Sequence, residues 1–134
     1  MIFLGTLVAN GQKVNLSDFQ WKNRIILLNV EDRSEEIVQQ QLQLAQDDGY
    51  AERDLILLVS QGKQMYDSDL KELNFEIESL QSIVGNATKN MLYLIGKDGG
   101  MKLRQTLPVP NADIFDLIDS MPMRRAEMKK GSRN

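Results

Sequence analysis

The residues best placed for chemistry follow the first strongly apolar run of the chain. Residues 25–30 form that run, and Asp32, Arg33 and Ser34 come directly after it, where a helix is predicted to begin. Because helix N-termini present free N–H groups, Arg33 and Ser34 could help bind a small anion, with Asn90 facing them across the sheet end. The simpler interpretation is that Asp32 and Ser34 cap the helix, since caps are nearly obligatory and nearby carboxylates repel anions.

A second candidate is a basic strip around a predicted hairpin. Lys97, Lys102 and Arg104 surround a turn that contains Asp-Gly-Gly, and the last two share a strand face by alternation. The strip could bind a phosphate or an acidic partner. The alternative is an edge strand protected from aggregation by its charges, which is a general need of sheets. No phosphate-binding glycine loop is present in the sequence.

Metal and thiol chemistry find little support in the composition. The chain has no cysteine and no histidine, which excludes thiol redox chemistry and the usual zinc, copper and haem ligand sets. Asp113, Asp116 and Asp119 recur at every third residue, but they lack the pattern of a calcium loop and are interpreted as a solvated helix face. We therefore predict no metal site, no cofactor and no catalytic residue.

Size and charge narrow the class of protein further. The 134 residues are enough for a single domain, and the net charge of −3 disfavours a nucleic-acid partner. No apolar run approaches the length of roughly 18 residues that a membrane span needs. Residues 1–15 are predicted to be an N-terminal extension or an extra strand, and 124–134 a basic tail that frays at its end.

The hydrophobic pattern predicts alternating strands and helices. Continuous apolar runs indicate buried strands, and an Asp-Gly between two runs indicates a hairpin. Helical spacing predicts the connections, although alternation near Asn74 leaves a break or a short strand open. The predicted strands are 25–30, 55–59, 91–96 and 101–104, and the predicted helices are 34–48, 68–84 and 111–121.

This order, β-α-β-α-β-β-α, predicts an α/β fold of the thioredoxin-like arrangement. A parallel βαβ half is joined to an antiparallel ββα half in one mixed sheet of four strands, or five with the N-terminal segment. Helices are expected on both faces. The positions of the thioredoxin cysteines correspond here to residues 31–35, which hold no thiol. Working thioredoxins also have a cis-proline just before the third strand, and the corresponding residues here, 87–90, include no proline. Thiol–disulfide exchange and cysteine peroxidase activity are thereby excluded.

Four segments carry a resemblance to a known family. They read Trp-Lys-Asn-Arg at 21–24, Glu-Arg-Asp-Leu at 52–55, Gly-Lys-Asp-Gly-Gly-Met-Lys-Leu-Arg at 96–104 and Met-Pro-Met-Arg-Arg at 121–125. Together they resemble a bacterial domain of unknown function, DUF4174, which is related to the DUDES domain of sushi-repeat and equarin-type proteins. The resemblance covers residues 16–128 and implies a thioredoxin-like fold without implying an activity.

The sequence thus favours a non-enzymatic binding or protein-interaction module, whose partner is a protein or a small anion. The alternative is a non-thiol enzyme or anion-binding protein that uses the sheet end at Asp32, Arg33 and Ser34. Self-association through a sheet edge or the methionine-bearing C-terminus is a third hypothesis. Compartment and oligomeric state do not follow from the sequence.

Overall fold

All elements described below lie within residues 13–85 and 90–132, which are the residues that the computed structural model of the protein describes. The first nine residues, a candidate extra strand, fall outside them. The first helical element among these residues is a short 3-10 helix, Leu16–Phe19, which buries Phe19. It leads to the first strand, β1, Arg24–Val30. Every residue of β1 except Asn29 is buried, as the continuous apolar run predicts.

Two helices, rather than the single predicted one, connect β1 to the next strand. Helix α1 spans Glu36–Leu44 and helix α2 spans Asp48–Glu52, and β2 follows at Leu55–Gln61. The break occurs because the Asp47 carboxylate accepts a hydrogen bond from the Gly49 N–H and starts a new helix. Strand β2 pairs in parallel with β1, in the register Ile25 to Ile56, which confirms the predicted parallel pair.

The predicted helix at 68–84 is wrong in its first half. Two short strands, β3 (Gln64–Tyr66) and β4 (Glu72–Leu73), form an antiparallel hairpin there. Its turn is held by the Asp67 carboxylate, which accepts hydrogen bonds from the backbone N–H groups of Asp69 and Lys71. A 3-10 helix at Ile77–Leu80 and helix α3 at Gln81–Val84 complete the segment.

The second half of the sheet is the predicted antiparallel hairpin. Strands β5 (Met91–Ile95) and β6 (Met101–Thr106) pair antiparallel, and β5 also pairs antiparallel with β1. Gly99 has a φ of +87°, a conformation that a side chain disfavours, and Asp98 accepts a hydrogen bond from the Gly100 N–H. The predicted turn chemistry is therefore present at this position.

The strands form one mixed sheet of six in the described part of the chain, against four or five predicted. Their order is β4-β3-β2-β1-β5-β6. The two additional strands are β3 and β4, which extend the sheet beyond β2. Strand β4 lies where the alternation near Asn74 leaves a short strand open, and β3 falls in a stretch for which the sequence predicts no helix or strand.

The sheet separates two apolar cores. One face packs against α1, α2 and helix α4, Asn111–Asp119, around residues such as Leu28, Leu57 and Ile114. The other face is covered by the two 3-10 segments and α3, around Leu27, Leu58 and Tyr93. Alternate residues of β1 therefore point to opposite cores, which places helical segments on both faces.

The C-terminal segment forms a helix within the described residues, and the predicted fraying of the chain end falls on residues 133–134, outside them. Helix α5 spans Pro122–Ser132. Its residue Arg124 is buried, and its guanidinium bonds to Glu52 and Asp119. The bond to Glu52 spans 72 positions and fixes the helix to the domain, and a list of local charges does not reveal it.

Candidate functional site

The predicted anion site at the start of α1 is occupied by its own hydrogen bonds. Asp32 accepts bonds from the Ser34 N–H at 2.9 Å and from the Ser34 hydroxyl at 2.7 Å. These two bonds hold the pKa of the Asp32 carboxyl below its usual value. The pair therefore has the geometry of a local turn and leaves an ionised carboxylate where an anion would need to bind.

Arg33 is turned toward the sheet. Its backbone N–H and its Nη1 both donate to Oε1 of Gln61, at 2.9 and 3.2 Å. Its guanidinium carbon also lies 4.1 Å from the centroid of the Tyr66 ring, a cation–π contact. The side chain is thus held by β2 and β3.

Asn90 lies just before β5, at the sheet end where β1 finishes. Its backbone carbonyl accepts a hydrogen bond from the Leu107 N–H, and its φ is +63°. Its Oδ1 is buried without a hydrogen-bond partner in the described part of the chain. Within that part, no hydrogen bond joins Asn90 to residues 32–34, so the four predicted residues do not form one bonded cluster.

The predicted basic strip is divided between separate contacts. Lys97 is only 10% exposed and donates to Asp54 at 2.8 Å and to Glu127 at 2.7 Å. Lys102 pairs with Asp98 at 2.8 Å. Arg104 lies opposite Tyr93 on the exposed strand β6. Two of the three cations are therefore already neutralised by carboxylates of the same chain.

An ion-pair network at the start of β1 and β2 was missed by the sequence reasoning. Arg24 is 1% exposed and bonds to both carboxylate oxygens of Glu127, at 3.2 and 3.3 Å. Nearby, Asp119 receives Arg53 at 2.8 Å and Arg124 at 3.1 Å. The one local signal of this network in the sequence is Arg24, a charged residue directly before an apolar strand.

The network perturbs both of its central carboxylates. Hydrogen bonds from Arg53 and then Arg124 lower the pKa of Asp119 against the opposing effect of burial. For Glu127, burial alone would raise the pKa, but the hydrogen bonds from Lys97 and Arg24 outweigh it and lower the pKa. Both groups are therefore ionised at neutral pH and serve to anchor α5.

The four segments that carry the family resemblance meet at this network. They contribute Arg24, then Arg53 with Asp54, then Lys97, and finally Arg124. All four cations bond to carboxylates of the same chain. The network therefore explains these segments as a structural feature that joins α5 to the end of the sheet where β1 and β2 begin.

A groove lies beside the second core. It encloses about 580 Å³ between the first 3-10 helix, the segment before α3 and the β5–β6 turn. Buried apolar side chains contribute to its lining, including Phe19, Ile25 and Ile95. Its polar lining consists of Asn15, Ser17, Gln20, Asn23, Glu76, Glu78, Ser79 and Asp98.

The groove is acidic. Three carboxylates line it, and no lysine or arginine does so among the described residues. Lys102 and the Gly100 N–H bond to Asp98 and lower its pKa, and Lys13 reaches Glu76 only at 3.9 Å. Glu78 is exposed and has no ion pair within the described part of the chain. Glu78 therefore offers an unneutralised charge to a ligand.

Trp21 follows the groove residue Gln20 in the chain. Its side chain is 63% exposed. Its backbone has a φ of +68°, and its N–H donates to the Lys97 carbonyl at 2.6 Å. The adjacent Gln20 lines the groove and donates to the Asp98 carbonyl at 3.0 Å. The exposed indole thus belongs to a residue whose backbone is bonded to the segment that contains Asp98.

Metal-ligating clusters and buried tyrosine hydroxyls are two further kinds of chemical group to consider in the described part of the chain. Three or more metal-ligating side chains do not come together there. The buried hydroxyls of Tyr50 and Tyr93 lack hydrogen-bond partners there, and neither residue lines the groove. Burial raises the pKa of Tyr50, so its hydroxyl stays protonated at neutral pH and does not act as a base.

These features define a mixed α/β domain with an acidic groove and an ion-paired C-terminal helix. The chain belongs to the family described as Domain of unknown function (DUF4174), whose model matches residues 15–127. This confirms the family to which the sequence segments point, whereas its link to the DUDES domain and its bacterial origin stay predictions. Comparison with curated proteins and with solved structures finds no match. Within the described residues, no helix has the length and apolar character required to cross a membrane.

Proposed function

We propose that this protein is a thioredoxin-like binding module that uses the groove, rather than thiol chemistry, for its function. The fold assignment is supported by the strand order β2-β1-β5-β6 within the sheet. In that order one pair is parallel and the next two are antiparallel, which is the arrangement that the sequence predicts for a thioredoxin-like domain. Strands β3 and β4 are an addition at the β2 edge.

The absence of cysteine from the chain supports binding over redox chemistry. A thioredoxin-like enzyme needs a thiolate at the start of its first helix, and the corresponding position here holds Asp32, Arg33 and Ser34. The hydrogen bonds between Asp32 and Ser34 give that segment a capping role. A thioredoxin-like domain that lacks the cysteine nucleophile can still bind a partner through its surface.

The observation that carries the proposal is the groove. Its volume of about 580 Å³ falls within the range of roughly 300–1,000 Å³ usual for ligand sites. Its apolar floor and polar rim provide both contact area and orientation. The exposed Trp21 beside it adds the residue type most often responsible for binding energy at protein interfaces.

The alternative from the sequence, an anion site or a non-thiol active site at the start of α1, receives less support. Arg33, its cation among the described residues, donates to Gln61 and stacks on Tyr66. An anion there would have to replace these contacts. Asn90 keeps a buried oxygen without a partner, but an oxygen is an acceptor and repels an anion.

The proposal is tested by filling the groove. Ser17 is exposed, lines the groove and can be changed to Phe, whereas Ser68 is exposed outside it and supplies the matched control, Ser68→Phe. Thermal unfolding is measured with basic, acidic and neutral peptides, sugars, nucleotides and phosphate. A ligand at 100 times its Kd stabilises the folded chain by about 2.7 kcal/mol.

We expect at least one class of ligand to raise the Tm of the wild-type chain and of Ser68→Phe but not that of Ser17→Phe. If no class raises the Tm, or if Ser17→Phe responds like the control, the groove is not the binding site and the proposal is wrong.

A further inference from the structure

We propose that the groove docks an arginine-bearing segment of a partner protein, an inference that rests on the proposed function above. An arginine side chain combines an apolar stem with a planar cation, and both parts find a counterpart at this site. The argument depends on three features: the apolar floor, the unneutralised rim and the exposed tryptophan.

The floor matches the stem. Phe19, Ile25 and Ile95 line the groove and are 6%, 2% and 2% exposed, so they belong to the second core and form a fixed apolar surface. Long cationic side chains lay their methylene groups along such surfaces and keep the charged end at the rim. A small hydrophilic anion or a free phosphate would gain nothing from this floor.

The rim matches the cation. Glu78 is exposed without an ion pair in the described part of the chain, and Glu76 is opposed only by Lys13 at 3.9 Å. Asp98, the third carboxylate of the groove, is paired with Lys102 at 2.8 Å, so Glu76 and Glu78 carry the remaining negative charge. The charge that remains at the groove is therefore complementary to a positively charged partner.

Trp21 favours arginine over other cations. Its indole is 63% exposed, and its backbone is bonded to Lys97, next to the groove residue Asp98. A guanidinium stacks on an aromatic ring and can bond to a carboxylate at the same time, and tryptophan is the best ring for this contact. The left-handed backbone at Trp21 costs free energy, and such conformations concentrate at binding sites.

The test is titration calorimetry with a capped pentapeptide of alternating glycine and arginine. A second peptide replaces each arginine with citrulline, which has the same shape without the charge. We expect the arginine peptide to bind the wild-type chain roughly tenfold more tightly than the citrulline peptide, and to weaken as salt is added.

Two pairs of variants locate the contact. Glu78→Gln should weaken binding of the arginine peptide about threefold, the size expected when one exposed charge pair is lost. Glu72→Gln removes the same charge from an exposed position on β4 outside the groove and should leave binding unchanged. Trp21→Ala should weaken binding about threefold, and Trp21→Phe should restore part of the loss. Unchanged Tm values establish that the variants are folded.

Several results would overturn the inference. Equal affinity for the arginine and citrulline peptides would show that no groove carboxylate recognises the positive charge. An equal loss of affinity in Glu78→Gln and Glu72→Gln would show the same. Concentration-dependent dimers that are abolished by Glu78→Gln would show that a second copy occupies the groove. If a sugar or neutral peptide binds and is lost in Ser17→Phe, the inference fails while the proposed function stands. If nothing in either experiment binds, both fail.

Discussion

Arg24 and Glu127 lie 103 positions apart and form a bidentate ion pair, with nitrogen–oxygen distances of 3.2 and 3.3 Å. Arg24 is 1% exposed, at the start of the central strand β1, and Glu127 is on α5. Lys97 donates to the same carboxylate at 2.7 Å. The C-terminal helix is thereby tied to β1 and to the β5–β6 turn through one side chain, and the free energy of unfolding should depend on it.

Glu127→Gln should therefore destabilise the domain. The substitution leaves the buried Arg24 guanidinium without its counter-charge, which costs several kcal/mol in a fully buried pair. Because Glu127 is 26% exposed, we expect a loss of about 2 kcal/mol in the free energy of unfolding. Urea denaturation measures it, with Glu72→Gln as the exposed control. A loss no larger than that of the control would contradict the anchoring role.

Acid should weaken the same contacts. The pKa values of Asp119 and Glu127 are both lowered in the folded state. A carboxyl whose folded pKa is lowered contributes stability above its unfolded pKa, at about 4, and loses it as the pH falls toward the folded value. The Tm should therefore be constant from pH 7 to about pH 5 and fall below about pH 4.5. In the double variant Asp119→Asn and Glu127→Gln, the slope of Tm against pH below pH 4.5 should be smaller; an unaltered slope would argue against these groups as its source.

Gln41 tests how much the hydrogen bonds of a buried polar side chain contribute to stability. Its side chain donates to the Val109 carbonyl at 3.0 Å and accepts from the Val109 N–H at 2.8 Å, with no exposure to solvent. Gln41→Ala leaves both backbone groups unpaired and should cost about 2–3 kcal/mol of stability. Gln40→Ala, the same change at the exposed neighbour, should cost less than about 0.5 kcal/mol. Chemical denaturation of the two variants compares them directly, and similar losses would be evidence against this assignment.

Arg33→Ala should affect stability and leave anion binding unchanged. The side chain bonds to Gln61 and stacks on Tyr66, contacts worth about 1 kcal/mol together. Phosphate and sulfate should raise the Tm of the wild-type chain and of Arg33→Ala by the same small amount, as non-specific salts do. A phosphate-dependent rise that disappears in Arg33→Ala would restore the anion site predicted from the sequence.

The parts of the fold that local pattern determines were predictable. Continuous apolar runs located β1, β2 and β5, and the Asp-Gly turn at Asp98 and Gly99 located the β5–β6 hairpin. Both signals act within a few residues, so a single sequence contains them. The sequence left a short strand near Asn74 open, where β4 lies, because a run with mixed spacing satisfies two periods at once and pairing with β3 decides between them.

The candidate site was less predictable because it depends on distant contacts. Gln41, for example, is buried and bonds to Val109, which lies 68 positions away. Lys97 was a candidate ligand-binding cation, yet Asp54 and Glu127 neutralise it from 43 and 30 positions away. The groove itself brings together residues 15–25, 76–83 and 95–99, which no local motif connects.

The most direct test of the central claim is to map the bound ligand on the protein by amide chemical shifts. The wild-type chain is labelled with nitrogen-15 and titrated with the arginine peptide and with each ligand class that raises its Tm. The account predicts that the largest shift changes fall at groove positions, namely Ser17, Gln20, Ser79 and Gly99. Changes confined to residues 31–34 and Asn90, or no saturable change with any ligand, would contradict it.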